Sequence, residues 1–159
     1  MLHRIVRRPT SGGFTTGEVL VVLAILGTLA LASMPTLIGY WRASTVKAAA
    51  EELVAGLNNA RHLALARNRN VCVELVDGTK RYRFWLGTCG GGTVWNGPGT
   101  ATNGFYTLAG DVTVTKNPPG NNPVFDRLGA APTTANFTIN GTQGLTRTVV
   151  VWASGRVTK

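Results

Sequence analysis

The chain has 159 residues, 44% of them hydrophobic, and a formal net charge of +9. That length holds one domain with an added anchor and excludes two full domains. The positive balance fits an anionic partner, nucleic acid or lipid headgroups, and equally an ordinary basic envelope protein.

The first element is the stretch 19–41, which contains no charged residue. A helix needs about 20 mostly apolar residues to cross a bilayer. A single span satisfies its backbone only as a helix, so the β-branched Val19, Val21, Val22 and Ile25 do not change the reading. Glu18 stands at the lip of this run, where a carboxylate is costly and marks function or a specific partner; the blander reading is a carboxylate facing headgroups. A secretory signal would have a shorter apolar core, about 7–15 residues, with its cleavage site after it. Arg4, Arg7 and Arg8 place the N-terminus in the cytoplasm, and Arg42 and Lys47 weaken that asymmetry without reversing it.

Gly12-Gly13-Phe14-Thr15-Thr16-Gly17-Glu18, set between the arginine-rich start and the apolar run, resembles the N-terminus of type IV prepilins and type II secretion pseudopilins. The resemblance implies that a prepilin peptidase cuts between Gly13 and Phe14 and that Phe14 becomes the N-methylated first residue. It also implies that Glu18, fifth after the cut, neutralises the amine of a neighbouring subunit, because buried opposite charges are tolerable when paired. Loss of Arg4, Arg7 and Arg8 with the leader would lower the charge from +9 to +6. Gly27 and Pro35 fall where the family has helix-breaking residues, which implies kinks there, although both types are also common in membrane helices generally. Thr16-Gly17 departs from the family's usual Leu-Ile.

Beyond the span, Val46, Ala50, Leu53, Leu57, Ala60 and Ala64 recur at spacings of four and three, one face of an amphipathic helix. The helix is expected to reach about Ala66, with Asn68-Arg69-Asn70 as the breaker. From Val71 the period changes to two. Asp77-Gly78 between two alternating runs predicts a hairpin with a two-residue loop. That register sets Val71 against Phe84, Val73 against Tyr82 and Glu74 against Arg81. Residues 87–104 read as a Gly-rich loop, and further strands are expected at 105–108, 112–116, 124–127, 137–140 and 145–153. The proline-rich 117–123 is expected to be an exposed loop.

Little in the chain supports catalysis, and no cofactor or metal is expected. His62 lies on the polar side of the helix pattern, and two cysteines with one mature histidine make no metal-ligand set. Gly90-Gly91-Gly92 lacks the strand-to-helix setting and the Lys-Ser/Thr ending of a phosphate loop. Cys72 and Cys89 would pair in an oxidising compartment; two separate thiols are the alternative.

A second resemblance closes the chain. Val124-Phe125-Asp126-Arg127-Leu128-Gly129, followed later by Thr148-Val149-Val150-Val151-Trp152-Ala153-Ser154-Gly155-Arg156-Val157, is similar to the ending of the GspH/FimT group of minor pseudopilins. The two resemblances imply an α+β, pilin-like fold: leader 1–13, transmembrane helix 14–41, amphipathic continuation 42–69 and a periplasmic β-rich head 70–159. They imply an inner-membrane subunit of a type II secretion pseudopilus or a type IV pilus machine. Its partners would be other pseudopilins or pilins, prepilin peptidase, the inner-membrane assembly platform and the lipid bilayer. The alternative is a DNA receptor for natural transformation using Arg147, Arg156 and Lys159, with Arg81 and Arg83 as possible additions. DNA-binding members end in Gly-Arg-any-Arg, whereas Thr158 occupies the last of those positions here.

Overall fold

The computed structural model describes residues 13–159; residues 1–12 of the expected leader 1–13, with Arg4, Arg7 and Arg8, lie outside the described residues. One helix, α1 (Thr16–Arg67), is followed by nine short strands. The chain divides into two compact units, one up to Ile38 and one from Gly39 onward.

Within the first unit, every described residue of the apolar helix is exposed, including Leu20, Leu23, Leu26 and Leu29. A helix that is apolar all round and exposed along its described residues suits lipid or neighbouring helices as its surroundings. The helix continues through Gly27 and Pro35. Just before the proline, the Ser33 hydroxyl donates to the Leu29 carbonyl at 2.8 Å, and Thr36 donates back to Ser33 at the same distance.

In the second unit the helix is amphipathic. Val46, Ala50, Leu53, Leu57, Ala60 and Ala64 are all buried, with Ala49 and Gly56 filling the same face. Small residues dominate this stripe, so the helix lies close against the large side chains of the sheets, among them Phe84, Phe125 and Phe137. Burying each such aromatic stabilises the fold by about 1.5–3 kcal/mol. The helix stops at Arg67 because Asn68 turns left-handed (φ 47°). The Asn68 amide then bonds the Leu65 carbonyl and the Arg69 amide the Ala64 carbonyl, which satisfies the last helical carbonyls.

The strands form two antiparallel sheets. The first has the order β3 (Thr93–Val94), β2 (Arg81–Leu86), β1 (Val71–Leu75), β6 (Val124–Phe125), with β4 (Phe105–Thr107) also pairing β2. The second runs β5 (Thr113–Asn117), β7 (Ala135–Asn140), β8 (Thr146–Val151), β9 (Val157–Thr158). Alternate residues of β7 are buried, so one face of the second sheet is turned to the core.

The β1–β2 hairpin exists, but its register differs by two residues from the expected one. Val71 lies opposite Leu86, Val73 opposite Phe84 and Glu74 opposite Arg83. The loop is longer because its tip is bonded elsewhere. The Gly78 amide donates to Val114, the Val114 amide to Thr79, and the Lys116 amide to the Asp77 carboxylate. The turn at Asp77-Gly78 is kept, with the Thr79 amide on the Val76 carbonyl at 3.1 Å, but the Val76 amide passes over Thr79 and Lys80 to the Arg81 carbonyl. This even shift leaves every side chain on its expected face.

Other strands are trimmed by turns. The expected strand 124–127 ends at Phe125, since the Asp126 carboxylate accepts from the Leu128 and Ala130 amides. The expected 145–153 narrows to β8, because Leu145 and Trp152 belong to the flanking turns. The two-residue strands β3 and β9 carry too little pattern to be read in advance. Pro123, expected in an exposed loop, is buried at its end, where its carbonyl accepts from the Val73 amide at 2.9 Å.

Candidate functional site

The N-terminal site is built by the helix start. Thr15 precedes the first helical residue, and its amide and hydroxyl both donate to Glu18 Oε2, at 2.8 and 2.9 Å. The Glu18 amide donates back to Thr15 Oγ1 at 3.3 Å. This is a capping box: each side chain satisfies a backbone amide that the first helical turn leaves unpaired. The pattern Thr15-x-x-Glu18 ahead of an apolar run is itself the sequence signal for this cap. Phe14 is 87% exposed, and it joins Glu18, Val19, Val22 and Leu23 around a shallow apolar hollow. Gly13 has open space around its Cα.

Cys72 and Cys89 form a disulfide with their Cα atoms 5.4 Å apart. It fastens β1 to the loop that follows β2. Beside it, on the outer face of the first sheet, Glu74 accepts from Arg83 Nε at 2.6 Å and from Trp85 Nε1 at 2.5 Å. Partial burial pushes the Glu74 carboxyl up. The hydrogen bonds from Arg83 and Trp85 and the charges of Arg83 and Lys116 outweigh it and hold the group below its ordinary value. Arg83 stacks over both Trp85 and Phe105, and Arg81 lies over Phe105.

The two halves of the C-terminal pattern meet in space. Gly155 is buried with φ +76°, and a Cβ there would strike the carbonyl of Gly129, itself at φ +81°. The turn after β8 therefore sits directly on the turn after β6, joined also by the Ala131 amide to the Ala153 carbonyl at 3.0 Å. The Gly of the Gly-Arg ending is thus explained by backbone packing.

The three C-terminal cations do not form one patch. Arg147, Lys159 and Lys47 line a single groove beside α1, and Lys159 Nζ is bound to Glu51 at 2.6 Å. Arg156 lies across from Trp152, whose amide bonds the Arg156 carbonyl. Trp152 is five residues from Arg147 along the strand direction, roughly 16 Å. His62 is exposed beside a cleft of about 400 Å³ shared with Asn59, Trp95 and Tyr106, and among the described residues no carboxylate, cysteine, serine or threonine lines that cleft with it.

Residues 49–155 match the family described as Type II transport protein GspH. The chain belongs to the GspH family. The matched region covers most of the amphipathic half of α1 and strands β1 to β8, so membership rests on the head and is independent of the N-terminal motif. The fold is shared with the type IV minor pilin FimU of Pseudomonas aeruginosa, at 22% identity and TM-score 0.54 over 70% of this chain and 90% of that one. It is shared too with the minor pseudopilin EpsH of the Vibrio cholerae type II secretion system. There the identity is 14% and the TM-score 0.56, over 72% of this chain and 92% of that one. No curated protein sequence matches significantly.

Proposed function

We propose that this GspH-family protein is a minor pseudopilin, a structural subunit of a type II secretion pseudopilus or a related type IV pilus machine. The observation that carries the reading is the joining of a GspH head to an apolar helix that is exposed along its described residues. Such a helix is consistent with a subunit held in the inner membrane with its head in the periplasm, later passed into a filament where neighbouring helices replace the lipid.

In this reading prepilin peptidase cuts between Gly13 and Phe14, and Phe14 is N-methylated. Glu18 first completes its own helix cap through Oε2 while the subunit is alone. On assembly the amine of the neighbouring Phe14 takes up the remaining acceptor capacity of the carboxylate. Gly27 and Pro35 give the helix places to bend. The assembly platform and the other pseudopilins are the partners.

The DNA-receptor reading has less support. Duplex binding gains from each phosphate neutralised, yet Arg156 stands apart from Arg147 and Lys159, and Glu51 already compensates Lys159.

Intact-mass measurement of protein purified from membranes tests the processing step. The expected species lacks residues 1–13 and carries one added methyl. A mature chain beginning after residue 41 would mean that the apolar run is a cleaved secretory signal.

A further inference from the structure

β9 covers β8 only at Val150 and Val151. Residues 146–149 pair with β7 on one side and, among the described residues, with no strand on the other. Such an edge presents free backbone N–H and C=O groups that another strand can use. Along it runs a groove of about 200 Å³ lined by Lys47, Ala50, Arg147 and Lys159. Arg147 has the same strand parity as the buried Val149 and Val151, so it projects toward α1 and into this groove. Only two ion pairs occur among the described residues, Arg83–Glu74 and Lys159–Glu51. Arg147 therefore faces the groove without a paired carboxylate among the described residues, while Lys47 makes no direct ion pair and shares its one acidic neighbour, Glu51, with Lys159.

We propose that this edge is a docking site for an extended, acidic segment of a different protein. The segment would add as a strand beside residues 146–149. Its carboxylates, at alternate positions, would reach Arg147 and Lys47. Charge complementarity selects the acidic occupant. It also disfavours a second copy, since the chain has 16 Lys and Arg against 7 Asp and Glu, and Glu74, the acid on a strand, is engaged by Arg83 and Trp85. Inward-pointing cations also serve to blunt an edge against pairing, and that role alone requires that nothing docks. Nucleic acid offers phosphates to the same cations but no amides to continue the sheet. The inference does not depend on which filament the subunit joins.

The test uses the full chain in detergent micelles and a short fluorescent peptide alternating Glu and Thr, followed by anisotropy. The same peptide N-methylated at alternate backbone amides and a single-stranded oligonucleotide serve as competing probes. The unmodified peptide is expected to bind, to slow hydrogen exchange at residues 146–149, and to lose binding on N-methylation. Arg147→Glu and Lys47→Glu, made separately at exposed positions so that one misfolded variant does not end the test, should each weaken it about tenfold or more. Absence of peptide binding would overturn the proposal and leave the cations as edge protection. Equal binding of the N-methylated peptide would overturn strand addition. An oligonucleotide that binds more tightly than the peptide and weakens in the same variants would make the groove a phosphate site instead.

Discussion

Gly56 shows how one residue sets the distance between helix and sheet. A Cβ there would lie 2.9 Å from Tyr82 Cζ and closer still to its hydroxyl. The ring cannot give way easily, because it is buried and stacked on Tyr106 with centroids 5.2 Å apart. Gly→Ala inside a helix normally gains about 1 kcal/mol, but overpacking costs about 1–3. Gly56→Ala is therefore expected to lower the thermal midpoint, and adding Tyr82→Phe should recover part of the loss. Gly155 is less forgiving, since both its positive φ and the Gly129 backbone oppose a side chain. Gly155→Ala should destabilise the head by about 2–4 kcal/mol, read from denaturant unfolding. Glu74 provides a pH signature. Its carboxyl is held below the ordinary value, so its contribution is complete above that value, about 4.3, and is lost as pH falls through the lower folded one. The stability gap between wild type and Glu74→Gln should be constant from pH 7 to 5 and close below about 4.

Among the elements, the amphipathic stripe of α1 was the most legible in the sequence. Its six spaced positions needed only helical periodicity, and all six are buried. The β1–β2 hairpin was legible in its faces but not in its register. Asp77-Gly78 is a local turn signal, whereas the true loop depends on bonds to Val114 and Lys116 nearly forty residues away. No local reading contains that information. The separation of Arg156 from Arg147 has a related reason: β9 folds back along β8, which carries Lys159 toward Arg147 and leaves Arg156 at the turn end of that hairpin. The Cys72–Cys89 bond closes a loop with a sequence separation of 17. Removing it by Cys89→Ala should cost about 2–4 kcal/mol, mainly by freeing the unfolded chain. An unchanged unfolding midpoint would show that the hairpin holds this loop without the bond.

At the scale of the whole molecule, the two units are suited to different surroundings. The head has its own core of three phenylalanines and two sheets, while the apolar half of α1 is exposed along its described residues. A filament subunit needs this division, with a head that is folded before assembly and a helix that exchanges lipid for neighbours. In the proposed assembly Glu18 would link the two settings, because its cap to Thr15 leaves acceptor capacity for a second donor. The most direct test is co-purification of the full protein with the other pilin-like subunits of its own cell, comparing wild type with Glu18→Ala. Wild type should be recovered in the filament complex. The variant should insert into the membrane normally and be largely missing from the complex. Equal recovery of both, or recovery of neither, would contradict the assignment of this chain as an assembling pseudopilin in which Glu18 directs assembly.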